Sequence, residues 1–298
     1  MLITTPIVNT ENHEVVPGTE GRASVRYRPS GEAMHSYIGP WQEANLLYIE
    51  QGRLSERLNQ PDLEPLVIYD LGLGIGANAI AALECLKNSA HTRSLHIVSF
   101  ENDMSGLGLG LTRLDLFPFL KPYVSILNIL ADKGFYSSPD KSFVWELRTG
   151  DFLSMPLEGP SPELIFFDFY SPKTTPQLWT QVCFKKLRVA CEPRARIQKS
   201  SVLLTYSAAT AARAALLMGG FYVGYGASTP VKLGTTIAST ITSEIKRPLD
   251  QRWIEKFENS TKPLPKDWLM RDFPIARAQV IQAVKAFYPA PLETAPTP

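Results

Sequence analysis

Hydrophobic and polar positions change period several times along the 298 residues, and these changes delimit the elements. Residues 1–40 show no helical period. Ala23-Ser24-Val25-Arg26-Tyr27-Arg28 alternates, which predicts an exposed strand with a basic face, bounded by the turn signals Pro17-Gly18 and Pro29-Ser30-Gly31. Over 41–58, Ala44, Leu47, Tyr48, Leu54 and Leu58 recur at three- and four-residue steps and predict a helix. From residue 66 strands and helices alternate. Residues 66–71, 95–101, 145–151, 164–169 and 201–206 read as strands. Residues 77–86, 105–117, 118–135, 176–190 and 208–218 read as helices or helical excursions. Residues 221–225 and 235–240 predict a terminal antiparallel pair. A break at Lys262-Pro263-Leu264-Pro265 and a last helix over 275–287 follow.

Strands alternating with helices imply βαβ units and a mainly parallel sheet. The expected architecture is α/β and Rossmann-like, with seven strands, one of them antiparallel at the end. Residues 1–60 form an N-terminal cap of the same domain, 61–244 the main domain, and 245–298 a C-terminal helical extension.

Composition narrows this picture only a little. A formal net charge of +1 excludes a global polyanion-binding bias, so a phosphate-facing surface would have to be a local patch. Cys85, Cys183 and Cys191 have no metal-ligand spacing and read as free thiols of a reducing compartment. No signal pattern and no apolar run of about 18 residues is present, so the expectation is a soluble, cytoplasmic protein without a membrane span.

The candidate chemistry sits behind the first long apolar run. Val67-Ile68-Tyr69-Asp70-Leu71 leads into Gly72-Leu73-Gly74-Ile75-Gly76-Ala77-Asn78 and then a helix. Glycine permits positive φ and close ligand approach, and the unpaired N–H groups of a helix start bind ligand oxygens. The loop fits both the dinucleotide fingerprint and the acid-x-Gly-x-Gly-x-Gly loop of S-adenosylmethionine (SAM) methyltransferases, in which Asp70 faces the methionine part. Glu101 ends the second strand, where both ligand classes place a carboxylate on ribose hydroxyls. Asp151, before Phe152, ends the third strand, where a SAM site accepts from the adenine amino group and a dinucleotide site has no regular need of an acid. Asp168 closes the fourth after four apolar residues, Leu164 to Phe167, and an ionisable group there needs a partner or a job. Four acids at four consecutive strand ends line the crevice of an open α/β sheet, and the combination favours SAM.

Four blocks then become recognisable in order: Gly72 to Asn78, Val98-Ser99-Phe100-Glu101-Asn102, Leu147-Arg148-Thr149-Gly150-Asp151-Phe152, and Phe167 to Trp179. Together they resemble the methyltransferase domain of the MnmC-type tRNA enzymes, with Phe169-Tyr170 at the family's Gly-Phe pair. The stretch from Gly31 to Ser36, with Gly39 and Glu43, is similar to the segment ahead of the sheet in stand-alone members, and Arg271-Asp272-Phe273-Pro274 is a weaker echo. The resemblance implies methylation of the 5-aminomethyl-uridine amine at the tRNA wobble position, with SAM as cofactor and neither metal nor flavin. It also implies that the flavin oxidase domain fused in many relatives is absent here. A basic run near the last hairpin is reduced to Lys232.

On this reading Asp70, Gly72, Gly74, Gly76, Asn78, Glu101, Asn102, Asp151, Phe152, Asp168, Gly39 and Glu43 hold the cofactor. Asp168 orients the amine and takes its proton, assisted by Tyr170, while Phe169 and Tyr170 stack the extruded base and Lys173 meets phosphate. Arg26, Arg28, Lys185, Lys186, Arg188, Arg194, Arg196, Lys199 and Arg213, with Lys232, are further candidates for a phosphate-facing surface; Trp179 reads as structural and His35 as a contact to cofactor or substrate. The alternatives are a SAM methyltransferase for a small molecule or protein, and a non-catalytic nucleotide-binding or NAD-dependent protein.

Overall fold

Leu66–Leu71 is buried at every position, as the sequence of an inner parallel strand demands. It is the fourth of eleven strands among the described residues of the computed structural model, which are 11–18, 22–89, 93–228, 234–260, 264–268 and 273–287. Lys232, Arg271 and Asp272 lie outside them, as do Lys262 and Pro263 of the expected break.

Strands β1 (His13–Val16), β2 (Ser24–Tyr27) and β3 (Glu32–Ala33) form a small antiparallel sheet. Helix α1 (Pro40–Ala44), a π-helical segment (Asn45–Glu50) and α2 (Leu54–Leu58) follow. The single helix expected over 41–58 is therefore broken. The cause is Gly52: a Cβ there would stand 2.5 Å from the Tyr48 carbonyl oxygen and 3.1 Å from Leu204 Cδ1. Only a glycine lets this segment press onto the main sheet, and Arg53 then turns the chain at φ 53°.

The main sheet begins with β4 (Leu66–Leu71), and the chain continues through α3 (Ala77–Lys87), β5 (Leu95–Glu101) and α4 (Ser105–Thr112). A 3₁₀ segment (Pro118–Tyr123), α5 (Val124–Lys133), β6 (Phe135–Ser137), β7 (Phe143–Thr149) and β8 (Leu164–Phe167) come next. Then come α6 (Gln181–Ala190), α7 (Glu192–Arg196), β9 (Val202–Thr205), α8 (Thr210–Met218), β10 (Tyr222–Tyr225), β11 (Thr236–Ser239), α9 (Gln251–Glu258) and α10 (Phe273–Phe287). The strand order is β10-β11-β9-β8-β4-β5-β7-β6. β11 runs antiparallel between β9 and β10, and the inner strands β9, β8, β4, β5 and β7 are parallel. The sheet is the expected mainly parallel Rossmann-like one with one more strand. β6 comes from the end of the span read as a helix over 118–135: α5 stops at Gly134, and Phe135 turns back to pair with Glu146 of β7.

Alternate residues of β4 face opposite cores. Leu66 and Ile68 pack with α3, α5 and the N-terminal segments, whereas Val67, Tyr69 and Leu71 pack with α6, α8 and α9. Ala23, Val25, Leu47 and Tyr48 belong to the first core, so the N-terminal segments share the hydrophobic interior of the main sheet.

The end of the sheet away from the Gly-rich loop is held by charge. Glu163 accepts from Arg57 Nη1 at 3.2 Å, Arg93 Nη2 at 3.0 Å and Arg194 Nη2 at 2.9 Å, and Arg57 Nη2 reaches Glu244 at 2.9 Å. Burial pushes the Glu163 carboxyl up, but the three guanidinium groups outweigh it and hold it below its ordinary value. Glu163→Gln leaves buried arginines without their shared counter-charge. It is expected to cost about 3 kcal/mol or more in urea unfolding; a loss below about 0.5 kcal/mol, the size of an ordinary surface change, would contradict this account.

Candidate functional site

The C-terminal ends of β4, β5, β7 and β8 open into a cavity of about 500 Å³, and β1 to β3 close one side of it. Gly72 and Gly74 bring the loop after β4 to its floor. Gly72 has φ 90°, and a Cβ there would sit 2.8 Å from the Asp168 carbonyl oxygen, so glycine is what allows the ends of β4 and β8 to meet. Glu101 at the end of β5 ties the same loop down: its Oε2 accepts from the Gly74 N–H at 2.9 Å, and its Oε1 accepts from the N–H groups of Asn102 and Asp103 at 2.8 and 3.1 Å. Burial raises the proton affinity of Glu101, and these three backbone donors temper the rise.

Asp151 lines the cavity beyond β7, with its carboxylate accepting from the Ser154 hydroxyl, which holds it below the usual carboxylate range. Phe152 beside it is buried edge-on against Phe100, ring centres 5.3 Å apart. Asn102 and Glu43 also face the cavity, the latter accepting from the Ser36 N–H at 2.9 Å.

Asp168 is anchored through both of its carboxylate oxygens. Its Oδ1 accepts from the Tyr48 hydroxyl at 2.7 Å and its Oδ2 from Asn78 Nδ2 at 2.8 Å. The next residues are fastened from the N-terminal sheet. Glu32 accepts from the Ser171 N–H and hydroxyl, both at 2.8 Å, and from the Thr174 hydroxyl. Tyr170 lies 5.5 Å from the ring of Tyr27, and its buried hydroxyl has no hydrogen-bond partner among the described residues. Burial, then the charges of Glu101, Glu32 and Asp103, push that hydroxyl well above its ordinary pKa.

Several expected site residues are not at the cavity. Asp70 is fully buried beneath the loop and is not part of the lining; its Oδ2 accepts from Ser99 Oγ at 2.7 Å, and Ser99 in turn accepts from Trp145 Nε1 at 2.9 Å. Burial pushes the Asp70 carboxyl up to about 7. Gly76 is turned toward Ile80, Leu107 and Leu127, and Gly39 sits at the start of α1. Lys173 is exposed and outside the lining, because the Glu32 contacts turn the 171–174 loop back toward β3. Asn78 lines the cavity, but its side chain is engaged with Asp168. Phe169 reaches the wall with its ring also packed on Phe167 and Phe152. Trp179 stacks edge-on against Phe167 at 4.9 Å and donates to the Tyr170 carbonyl at 2.8 Å, a bracing contact.

Of the expected basic surface, Lys173 and Lys185 are exposed, Arg188 Nε donates to the Gly220 carbonyl at 3.2 Å, and Arg196 pairs at the surface with Glu192. Arg194 is on Glu163, Lys186 on the carbonyls of Phe152 and Leu153, Lys199 on Asp62 and Glu64, and Arg213 on Thr235 and Thr236. Arg26 and Arg28 pair with Glu14. Sequence reasoning passed over Tyr48, Glu32 and His13. Tyr48 carried only the spacing of a core aromatic. The alternating β1 to β3 pattern carried no sign that Glu32 and His13 turn inward; His13 Nδ1 lies 3.6 Å from Asp103 and Tyr27 stands 5.2 Å from its ring.

This strand order, with an antiparallel strand inserted next to the edge and a Gly-rich loop after the central strand, is the architecture of the SAM-dependent methyltransferases. Residues 146–240, about a third of the chain, match the model of a family described as S-adenosyl-L-methionine-dependent methyltransferase. It is 28% identical over 238 residues to an uncharacterised protein of Methanocaldococcus jannaschii, covering 76% of this chain and 60% of that protein. It is 26% identical over 214 residues to the tRNA 5-methylaminomethyl-2-thiouridine biosynthesis bifunctional protein MnmC of Aeromonas hydrophila, covering 64% of this chain and 30% of that one. The chain thus spans less than two thirds of the length of either relative. The crystal structure of MnmC2 from Aquifex aeolicus superposes with a TM-score of 0.66 at 21% identity, over 93% of this chain and 84% of that one, and shares the fold. Among the described residues no helix is long and apolar enough to cross a membrane.

Asp70 supplies a pH signature. Its folded pKa lies above its unfolded one, so the folded state binds the extra proton and stability falls as pH rises from about 4 to about 7. Asp70→Asn removes that penalty. The variant's melting midpoint is expected to gain on the wild type progressively through this window and to hold a constant lead above it; a lead that does not change with pH would contradict the assignment.

Proposed function

We propose that this protein transfers a methyl group to a primary amine, and that the amine is the 5-aminomethyl group of the wobble uridine in tRNA. One observation carries the first half. Six carboxylates, Glu32, Glu43, Glu101, Asp103, Asp151 and Asp168, line the cavity, and no lysine or arginine does so among the described residues. Such a wall concentrates cations, and both reactants are cationic there: the sulfonium of SAM and an alkylammonium. Support for the second half is the name of the MnmC relatives, since a 5-methylaminomethyl group is a 5-aminomethyl group carrying one methyl more. A cytoplasmic location goes with that substrate.

SAM supplies a methyl group activated by its positive sulfur. The residues lining the cavity support this: the Gly72 and Gly74 floor gives clearance, and in this reading Glu101 takes the ribose hydroxyls while Asp151, Phe152 and Asn102 take the adenine. Glu43 and Asp168 leave the methionine end in negative surroundings. Methylation is an in-line displacement, so alignment comes first. The amine must also be neutral to attack. Asp168 accepts one proton from the incoming ammonium; the freed nitrogen lone pair then bonds to the methyl carbon, and sulfur keeps the electron pair of the broken bond. Tyr27 and Tyr170 offer a flat wall for an unstacked base, with the Tyr170 hydroxyl available to a base carbonyl.

A second reading, methylation of a small cationic amine, is favoured by the engagement of Lys186 with backbone carbonyls, of Arg194 with Glu163 and of Arg213 with Thr235. Labelled SAM and tRNA lacking the modification separate the two. Label is expected in tRNA, with a KM that rises steeply between about 50 and 200 mM salt. Asp168→Ala is expected to abolish transfer while leaving SAM affinity within a few-fold. Label in a diamine but in no tRNA would select the second reading, and an active Asp168→Ala variant would contradict the role of that acid.

A further inference from the structure

The π-helical segment Asn45–Glu50 places one aromatic side chain where neither strand nor loop can. Tyr48 is fully buried, its ring 5.1 Å from that of Phe166 in β8, so it runs along the inner face of the strand that Asp168 terminates. Its hydroxyl ends 2.7 Å from Asp168 Oδ1, while Asn78 from the first turn of α3 takes Oδ2 at 2.8 Å. π-Helical turns recur at functional sites because they move side chains out of the regular helical register. Here the close approach of Gly52 to Leu204 holds the segment against the sheet.

We infer that Tyr48 is a positioning residue: with Asn78 it clamps the Asp168 carboxylate in one orientation and keeps it ionised, ready to accept a proton from the substrate. The inference rests on the proposed amine methylation for its catalytic consequence and on geometry alone for the clamp. Two fixed donors, one on each oxygen, favour the charged form of a carboxylate and remove its rotational freedom. Of the other groups nearby, the Asp70 carboxyl in β4 opposes ionisation of Asp168 by like charge, while Tyr206 beyond β9 is kept protonated by its own burial and the Asp168 charge and donates its hydroxyl to the Phe169 carbonyl at 2.9 Å. Tyr48 is held in its donor form in the same way, by burial first and then by Asp168. A serine hydroxyl at this position would fall short of Asp168, and phenylalanine would fill the space without donating.

The test uses two readouts on the full chain. The first is the titration of Asp168 itself, followed by ¹³C NMR of protein labelled at the aspartate carboxyl carbons, with the resonance assigned by its loss in Asp168→Asn. In Tyr48→Phe the Asp168 pKa is expected to rise by about one unit, the scale of one charge-assisted hydrogen bond. Asn78→Ala is expected to move it the same way and stands in should the Tyr48 variant not fold. The second readout is turnover. Tyr48→Phe is expected to lower kcat about tenfold, leave the KM for SAM unchanged, and shift the acid limb of the kcat–pH profile upward. An unchanged titration in both variants overturns the clamp. A shifted titration with unchanged kcat and acid limb overturns the positioning role. A shifted titration in a protein that methylates no amine at all would overturn the proposed function and leave the clamp standing.

Discussion

The carboxylate of Asp168 is the point at which three separated parts of the chain are joined. Tyr48 reaches it from the N-terminal helical segments, Asn78 from the helix behind the Gly-rich loop, and β8 delivers it. The backbone beside it is equally constrained, since only a glycine at position 72 allows β4 to end against the Asp168 carbonyl. Where these parts meet, the loop, the acid and the N-terminal cap have fixed distances to one another. Glu32 extends the same closure by fastening the 171–174 loop to the small sheet. The cavity therefore belongs to the N-terminal segments as much as to the Rossmann-like sheet.

Charge then decides what such a cavity admits. A wall of carboxylates is costly to assemble unless each is held, and here most are. Glu101 is held by three backbone N–H groups, Asp151 by Ser154, Glu43 by Ser36 and Asp168 by two side-chain donors. The opposite end of the sheet reverses the arrangement, with one glutamate shared by three arginines. Three arginines thus meet at the base of the sheet and six carboxylates at its mouth, a local separation that a net charge of +1 conceals.

Much of this was legible in the order of residues. The alternation of strands and helices from residue 66 onward is a local signal, and so are the glycines behind an apolar strand and the acids at strand ends. The family resemblance joined these blocks and is matched by the model over residues 146–240. What could not be read depends on partners far apart in the chain. Tyr48 looks like any core aromatic until β8 is laid beside it, and the break at Gly52 depends on Leu204 about 150 residues later. Lys186, Arg194, Lys199 and Arg213 read as surface cations because nothing local shows the carbonyls and carboxylates they meet. Asp70 shows the opposite failure: its motif points to the ligand, yet the pleat places it under the loop with Ser99.

The central claim is that the cavity above Gly72 and Gly74 holds the methyl donor. Calorimetry of the intact protein with SAM, and with NAD as the competitor that the same loop pattern admits, tests it most directly. The account predicts one SAM site of micromolar affinity, little or no heat with NAD, and marked weakening in Glu101→Ala. Tight NAD binding, or no heat with SAM, would contradict it.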